Sequence, residues 1–149
     1  MAAGNIGYPF SDAVLSEANQ SEAYVVLEIS SFQAELADDL QLDGLLWTNF
    51  AEDHLDRYGS MTCYFQAKAR LFNCLKCDGI CVLGAQVADW MANQCKAFEG
   101  YSIAHEATEL ALQLDADSVF QRFPYSKNFS LAVELWRLMN MPPAVLIEA

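Results

Sequence analysis

The chain has 149 residues, 54% of them hydrophobic, and a formal net charge of −12. That composition excludes a disordered chain, and the charge excludes a nucleic-acid backbone as the partner of most of the surface. No apolar run is long enough to span a bilayer and no basic-then-apolar leader opens the sequence, so the chain reads as one cytoplasmic domain without membrane insertion.

In chain order, "MAAGNIGYPF" begins abruptly in a Gly-rich turn. "VVLEISS" is a short buried strand, apolar from Tyr24 to Leu27 and ending at Glu28. Ser30 then caps a helix, with Gln33 in the capping-box position, and the helix runs to about Leu40. "DGLLWTNF" is a second buried strand after an Asp43-Gly44 turn. Residues 61 to 76 read as a helix, and "DGICVLG" as a third strand after another Asp-Gly turn. "AQVADWMANQ" reads as a helix, and "KAFEGYSI" holds a short strand. Strands that alternate with helices imply parallel pairing through right-handed crossovers.

The pattern then changes. Leu110, Leu112 and Leu114 alternate with polar residues, and Asp115 to Ser118 favour a turn. This predicts a small antiparallel element near residues 108 to 123. Ser126 caps a last helix to about Asn140, stopped by Met141-Pro142-Pro143. The expected fold class is α/β, a mostly parallel sheet flanked by helices with that antiparallel element added. Both ends read as cuts through a larger protein.

Five cysteines include one isolated C-x-x-C, Cys74 and Cys77, with no second pair to complete a zinc set. Reduced, half-buried thiols are the expectation.

Chemistry concentrates in "LLWTNFAEDHLDRYGSMTCYFQAKARLF". In an open α/β sheet, ligands sit beyond the carboxyl ends of the strands. Glu28 and the Glu52-Asp53-His54 group both fall at such ends. A carboxylate and a neutral imidazole suit a divalent cation, and magnesium also takes substrate oxygens and water. On a helix, Met61, Tyr64, Phe65, Lys68, Leu71, Phe72 and Leu75 share one face, which puts Lys68 in the apolar stripe. A desolvated ammonium loses stability relative to the amine, so the Lys68 pKa is expected to fall. A neutral amine reacts with carbonyl or phosphoryl centres, or with carbon dioxide to give an anionic carbamate. The competing reading is a lysine whose stem packs while its head reaches water. His54 equally suits a hydrogen-bonded structural role, Glu28 a departure from the sheet into solvent, and Asn5 a tight turn. Asp56 and Arg57 suit a local ion pair or cap.

Four segments, "GNIGYP", "LEISSFQAE", "TNFAEDHLDRYGSMTCYFQAKARLF" and "NFSLAVELWRLMNMP", resemble the Mur ligases in content and order. These are ATP-dependent amide-forming enzymes of peptidoglycan precursor synthesis. Phe32-Gln33 and "GNIG" resemble the branch that adds D-glutamate to UDP-N-acetylmuramoyl-L-alanine; the branch that adds diaminopimelate or lysine fits the later motif almost as well. The resemblance implies that ATP phosphorylates a substrate carboxylate and that the amino group of D-glutamate attacks the acyl phosphate. It implies that Glu28 binds one Mg2+ and that His54 and a carbamylated Lys68 serve a second. Asn5 and Ser30 match positions on the muramoyl-peptide and phosphate side, and Asn128 one that faces the adenine nucleotide.

The sequence departs from the pattern in two respects. It contains no G-x-x-G-K-[ST] phosphate loop, and Pro124-Tyr125 stand where the family has His-Asn. Residues 1 to 149 are therefore expected to be part of a central ATP-binding domain, without the N- and C-terminal domains, inactive alone and with an apolar sheet edge uncovered. The full-length enzyme is expected to be a monomer. The alternative is a non-catalytic binding or assembly module on a ligase-like scaffold.

Overall fold

The computed structural model describes residues 1–21, 23–94, 100–106, 108–142 and 145–148. Its elements, in order, are β1 (Ala2–Gly4), α1 (Phe10–Leu15), β2 (Val26–Glu28), α2 (Ser31–Ala34), β3 (Leu42–Trp47), α3 (Leu55–Tyr58) and α4 (Met61–Ala69). A 3-10 segment, Arg70–Cys74, leads into β4 (Leu75–Leu83), α5 (Ala85–Gln94), β5 (Ser102–Ile103) and α6 (Thr108–Ala111). A 3-10 turn at Val119–Gln121, α7 (Tyr125–Leu138) and α8 (Val145–Glu148) follow.

All strand pairings among the described residues are parallel. One sheet has the order β1-β2, with Gly4 opposite Glu28, and the other β3-β4-β5, with Trp47 opposite Leu83 and Leu83 opposite Ile103. Leu45, Trp47, Cys81 and Leu83 point to one face, where Phe50, Tyr64, Phe65, Phe72, Val87 and Met91 close an aromatic-rich core. Trp47 stacks on Phe65 at 4.9 Å, and Phe65 stacks on Trp90 at 5.9 Å. A Cβ at Gly44 would lie 3.8 Å from Leu135, so α7 covers the opposite face. Helices therefore flank a parallel sheet on both sides, as the alternation of strands and helices predicts. No helix among the described residues is long and apolar enough to cross a membrane.

The expected antiparallel element is absent among the described residues. Residues 108–121 form α6 and a 3-10 turn instead, and Leu112 is 75% exposed rather than on a buried face. Side chains take the backbone groups a hairpin would need: Gln121 Nε2 donates to the carbonyls of Leu114 and Asp115, and Ser118 Oγ accepts from the Phe120 amide. Neither Asp-Gly pair makes the expected turn. Both lie inside β3 and β4, where the register shifts between the Leu42–Leu75 and Gly44–Ile80 pairs. The first long helix stops at Ala34 and continues as three-residue turns to Leu40, and the helix over 61–76 tightens at Arg70 and ends at Cys74. Pro124, not Ser126, precedes α7, and Asn140 ends it in the left-handed region at φ 55°. The "KAFEGYSI" strand is present at Ser102–Ile103; residues 96–99 lie outside the described residues. Cys63, Cys74, Cys77 and Cys81 are free thiols, and burial pushes Cys81 up to about 12.

An uncovered apolar edge is present: β2 has only β1 as neighbour among the described residues, and Tyr24 and Val26 are both 67% exposed. At the other end, Glu134 of α7 ties the last strand down. Its carboxylate accepts from Arg137 at 2.7 and 2.9 Å and from the Ser102 hydroxyl. Arg137 chiefly, with Ser102 and the charge of His105, holds the Glu134 pKa below its ordinary 4.5 against the opposing effect of burial. A depressed pKa means the unfolded chain takes up the proton first. The stabilisation is therefore complete above pH 4.5 and vanishes as pH falls through the folded value. Urea titrations across this range are expected to show that Glu134→Gln flattens the acid loss of stability. An unchanged acid slope would contradict the assignment.

Candidate active site

Glu28 is the last residue of β2 and its side chain reaches solvent. Its backbone is clamped against β1: the Asn5 amide donates to the Glu28 carbonyl at 2.8 Å. Gly4, at φ +113°, makes that approach possible, because a Cβ there would lie 2.2 Å from the Glu28 oxygen. Asn5 is exposed beside the Glu28 backbone. Two residues beyond Glu28, Ser30 caps α2 with the expected reciprocal pair. Its hydroxyl accepts from the Gln33 amide at 3.2 Å, and its own amide donates to Gln33 Oε1 at 3.0 Å. Ser30 is half-buried just beyond the carboxyl end of β2, and its hydroxyl serves the cap.

His54 precedes α3 in the left-handed region, at φ 52° and ψ 27°. For a non-glycine residue this conformation is uncommon and must be held by its surroundings. Asp53 provides the hold at both ends of the residue. Its Oδ1 accepts from the His54 amide at 2.8 Å, and its Oδ2 lies 3.3 Å from His54 Nε2. The imidazole packs 4.9 Å from Phe32 and edge-on to Tyr64 at 6.1 Å. Arg57 pairs with Glu35 at 2.5 Å and lies over the Phe32 ring, rather than pairing with Asp56 as its neighbour in sequence suggests.

Lys68 is half-buried in the last turn of α4. Its Nζ lies 5.4 Å from the centre of the Tyr64 ring, one turn back on the same helix. Burial lowers its pKa, while the charges of Glu28 and Asp53 pull it back up. The fall expected from the apolar stripe is thus present. The two carboxylates whose charge Lys68 senses come from the end of β2 and from the loop before α3. Asn128 stands exposed on α7, across the sheet, and among the described residues no hydrogen bond or ion pair joins it to Glu28, His54 or Lys68.

Among the described residues, no three His, Cys, Asp or Glu side chains gather closely enough to hold a metal ion unaided. Glu28, His54 and Asp53 are hard or borderline donors of the right kind, but they need further oxygen ligands. Magnesium habitually takes those from phosphates and water, and an anionic group on Lys68 would supply one more. The donor chemistry fits a cation on those terms. The sequence marks Asp53 only as one of a charge cluster at a strand end and Tyr64 only as part of the apolar stripe that holds Lys68; the hold of Asp53 on His54 and the shared Tyr64 ring are seen in the structure alone.

These features define an α/β protein that presents a carboxylate at the end of β2, an imidazole in the turn before α3 and a half-buried amine on α4. The middle-domain model of the Mur ligases matches residues 5–138, and the chain belongs to that family. It is 32% identical over 149 residues to a protein named UDP-N-acetylmuramoylalanine--D-glutamate ligase from Desulfotalea psychrophila, covering 97% of this chain and 32% of that one. A protein of the same name from Roseobacter denitrificans is 50% identical over 70 residues, 47% of this chain and 14% of that one. Another from Desulfitobacterium hafniense is 46% identical over 72 residues, 48% of this chain and 15% of that one. The chain thus spans about a third of the length of the Desulfotalea relative.

Proposed function

We propose that this chain is part of the central ATP-binding domain of a cytoplasmic ligase that joins D-glutamate to UDP-N-acetylmuramoyl-L-alanine in peptidoglycan precursor synthesis. Family membership and the names of the relatives support the reaction class. The observation that carries it is Lys68, half-buried in the field of Glu28 and Asp53 and sharing the Tyr64 ring with His54.

In that role ATP phosphorylates the muramoyl-alanine carboxylate, the D-glutamate nitrogen attacks the acyl carbon, and phosphate leaves as the amide forms. Magnesium, when bound, supplies positive charge that spreads the developing charge of the transferred phosphoryl group. Glu28 would hold one such ion, and His54 with Lys68 the other. An uncharged Lys68 amine forms an N–C bond with carbon dioxide and releases one proton to water, which leaves an anionic oxygen donor where an ammonium would repel the ion. Asp53 keeps His54 in place for the same purpose. Asn5 and Ser30 would flank the substrate at the ends of β1 and β2, and Asn128 would face the nucleotide from α7.

The complete ligase is expected to release phosphate from ATP only when both UDP-N-acetylmuramoyl-L-alanine and D-glutamate are present. This chain alone is expected to show no turnover near ordinary enzyme rates of about 1–10³ s⁻¹. Turnover with diaminopimelate or lysine in place of D-glutamate would assign the chain to another branch of the family.

A further inference from the structure

The two groups that matter most, His54 and Lys68, come from different elements, and the same ring lies against both. Tyr64 is 6% exposed. Phe50 stacks on it at 5.1 Å and Tyr58 packs against it at 5.3 Å, so the ring is gripped on more than one side. His54 meets it edge-on, at 6.1 Å and 88°. Lys68 Nζ lies 5.4 Å from its centre, within the range of attraction between a cation and an aromatic face. The spacing of four residues explains that contact. Long helical side chains lean toward the helix N-terminus, so Lys68 folds back over Tyr64.

We propose that Tyr64 is a positioning residue, whose ring fixes the side chains of His54 and Lys68 relative to one another. Its chemical meaning rests on the ligase reading, because two ligands of one cation must be held at a set separation before the ion and substrate arrive. Its geometry does not rest on that reading. The ring, not the hydroxyl, carries the role: the contacts to His54 and Lys68 are made by the aromatic system.

The test is side-chain NMR of this chain without nucleotide, substrate or metal. Three-bond couplings report whether His54 and Lys68 each occupy one rotamer. Wild type and Tyr64→Phe are expected to show one rotamer at both residues. Tyr64→Met, flexible and of similar bulk, is expected to lose the single-rotamer pattern at both. Phe129→Leu removes a buried ring that packs on Phe120 and makes no ring contact with Tyr64. It is expected to lower the unfolding midpoint while leaving both rotamers single. The inference is overturned if Tyr64→Met frees neither residue or only one, or if Tyr64→Phe frees either. If Tyr64→Met does not fold, Tyr64→Leu takes its place: averaging at both residues supports the inference, and a single rotamer kept at either overturns it. Averaging at both residues in Phe129→Leu would overturn it too, because the rotamers would then follow core stability. Because no substrate is present, a complete protein without ligase activity would sink the ligase reading and leave this result standing.

Discussion

Lys68→Ala in the complete ligase is expected to slow amide formation by at least about 10²–10³-fold, the scale on which loss of one group that stabilises transition-state charge acts. The expectation follows from where the side chain sits. Lys68 is half-buried beside Tyr64, and Glu28 and Asp53 are the charges it senses. Alanine removes the anionic oxygen the carbamate would supply and leaves His54 as the remaining ligand of that ion. It also opens a space beside Tyr64. A short carboxylic acid such as acetate or formate fits that space chemically and is expected to restore part of the rate. Steady-state phosphate release, with and without the added acid, measures both effects. The alternative role for Lys68, a stem that packs while the head reaches water, leads to a different outcome. Lys68→Ala would then cost stability through lost packing, with kcat unchanged and no response to acid.

Phe65→Ala is expected to have the largest effect on folding. Phe65 is fully buried, stacks on Trp47 at 4.9 Å, and meets Phe50 edge-on at 5.3 Å. Loss of a core phenylalanine costs about 3–5 kcal/mol, from lost transfer energy and the cavity left behind. Small domains have a total of only about 5–15 kcal/mol. This chain also leaves Leu15 83%, Leu36 87% and Val26 67% exposed, so part of its apolar surface contributes nothing. Phe65→Ala is therefore expected to leave a substantial unfolded fraction in buffer, seen as loss of near-ultraviolet circular dichroism and of a cooperative urea transition. A cooperative transition within about 1 kcal/mol of wild type would show that the aromatic core does not hold the site elements together.

Much of the frame was legible in the sequence because it depends on local rules. The apolar runs around Val26, Leu45 and Val82 are parallel strands, and Ala85–Gln94 is a helix. Ser30 and Gln33 form the capping box their spacing announces. The position of Lys68 on an apolar helix face was legible for the same reason: a period of 3.6 decides which side chains share a surface. What the sequence hid depends on competition between local options. Asp-Gly favours a turn, yet both pairs are absorbed into an irregular strand register. Alternating leucines near residue 112 favour a strand, yet neighbouring Gln and Ser side chains capture the backbone. At the site, the left-handed turn at His54 and its double hold by Asp53 left no periodic trace. The influence of the Glu28 charge on Lys68, 40 residues away in the chain, is a property of the assembled strand and helix and not of any local pattern.

The most direct measurement is carbon-13 NMR of this chain equilibrated with labelled bicarbonate and Mg2+. One slowly exchanging carbamate resonance is expected, and it should be absent from Lys68→Arg and weakened by His54→Ala. No carbamate at Lys68, or one that His54→Ala leaves untouched, would contradict a cation grip built from this lysine and this histidine.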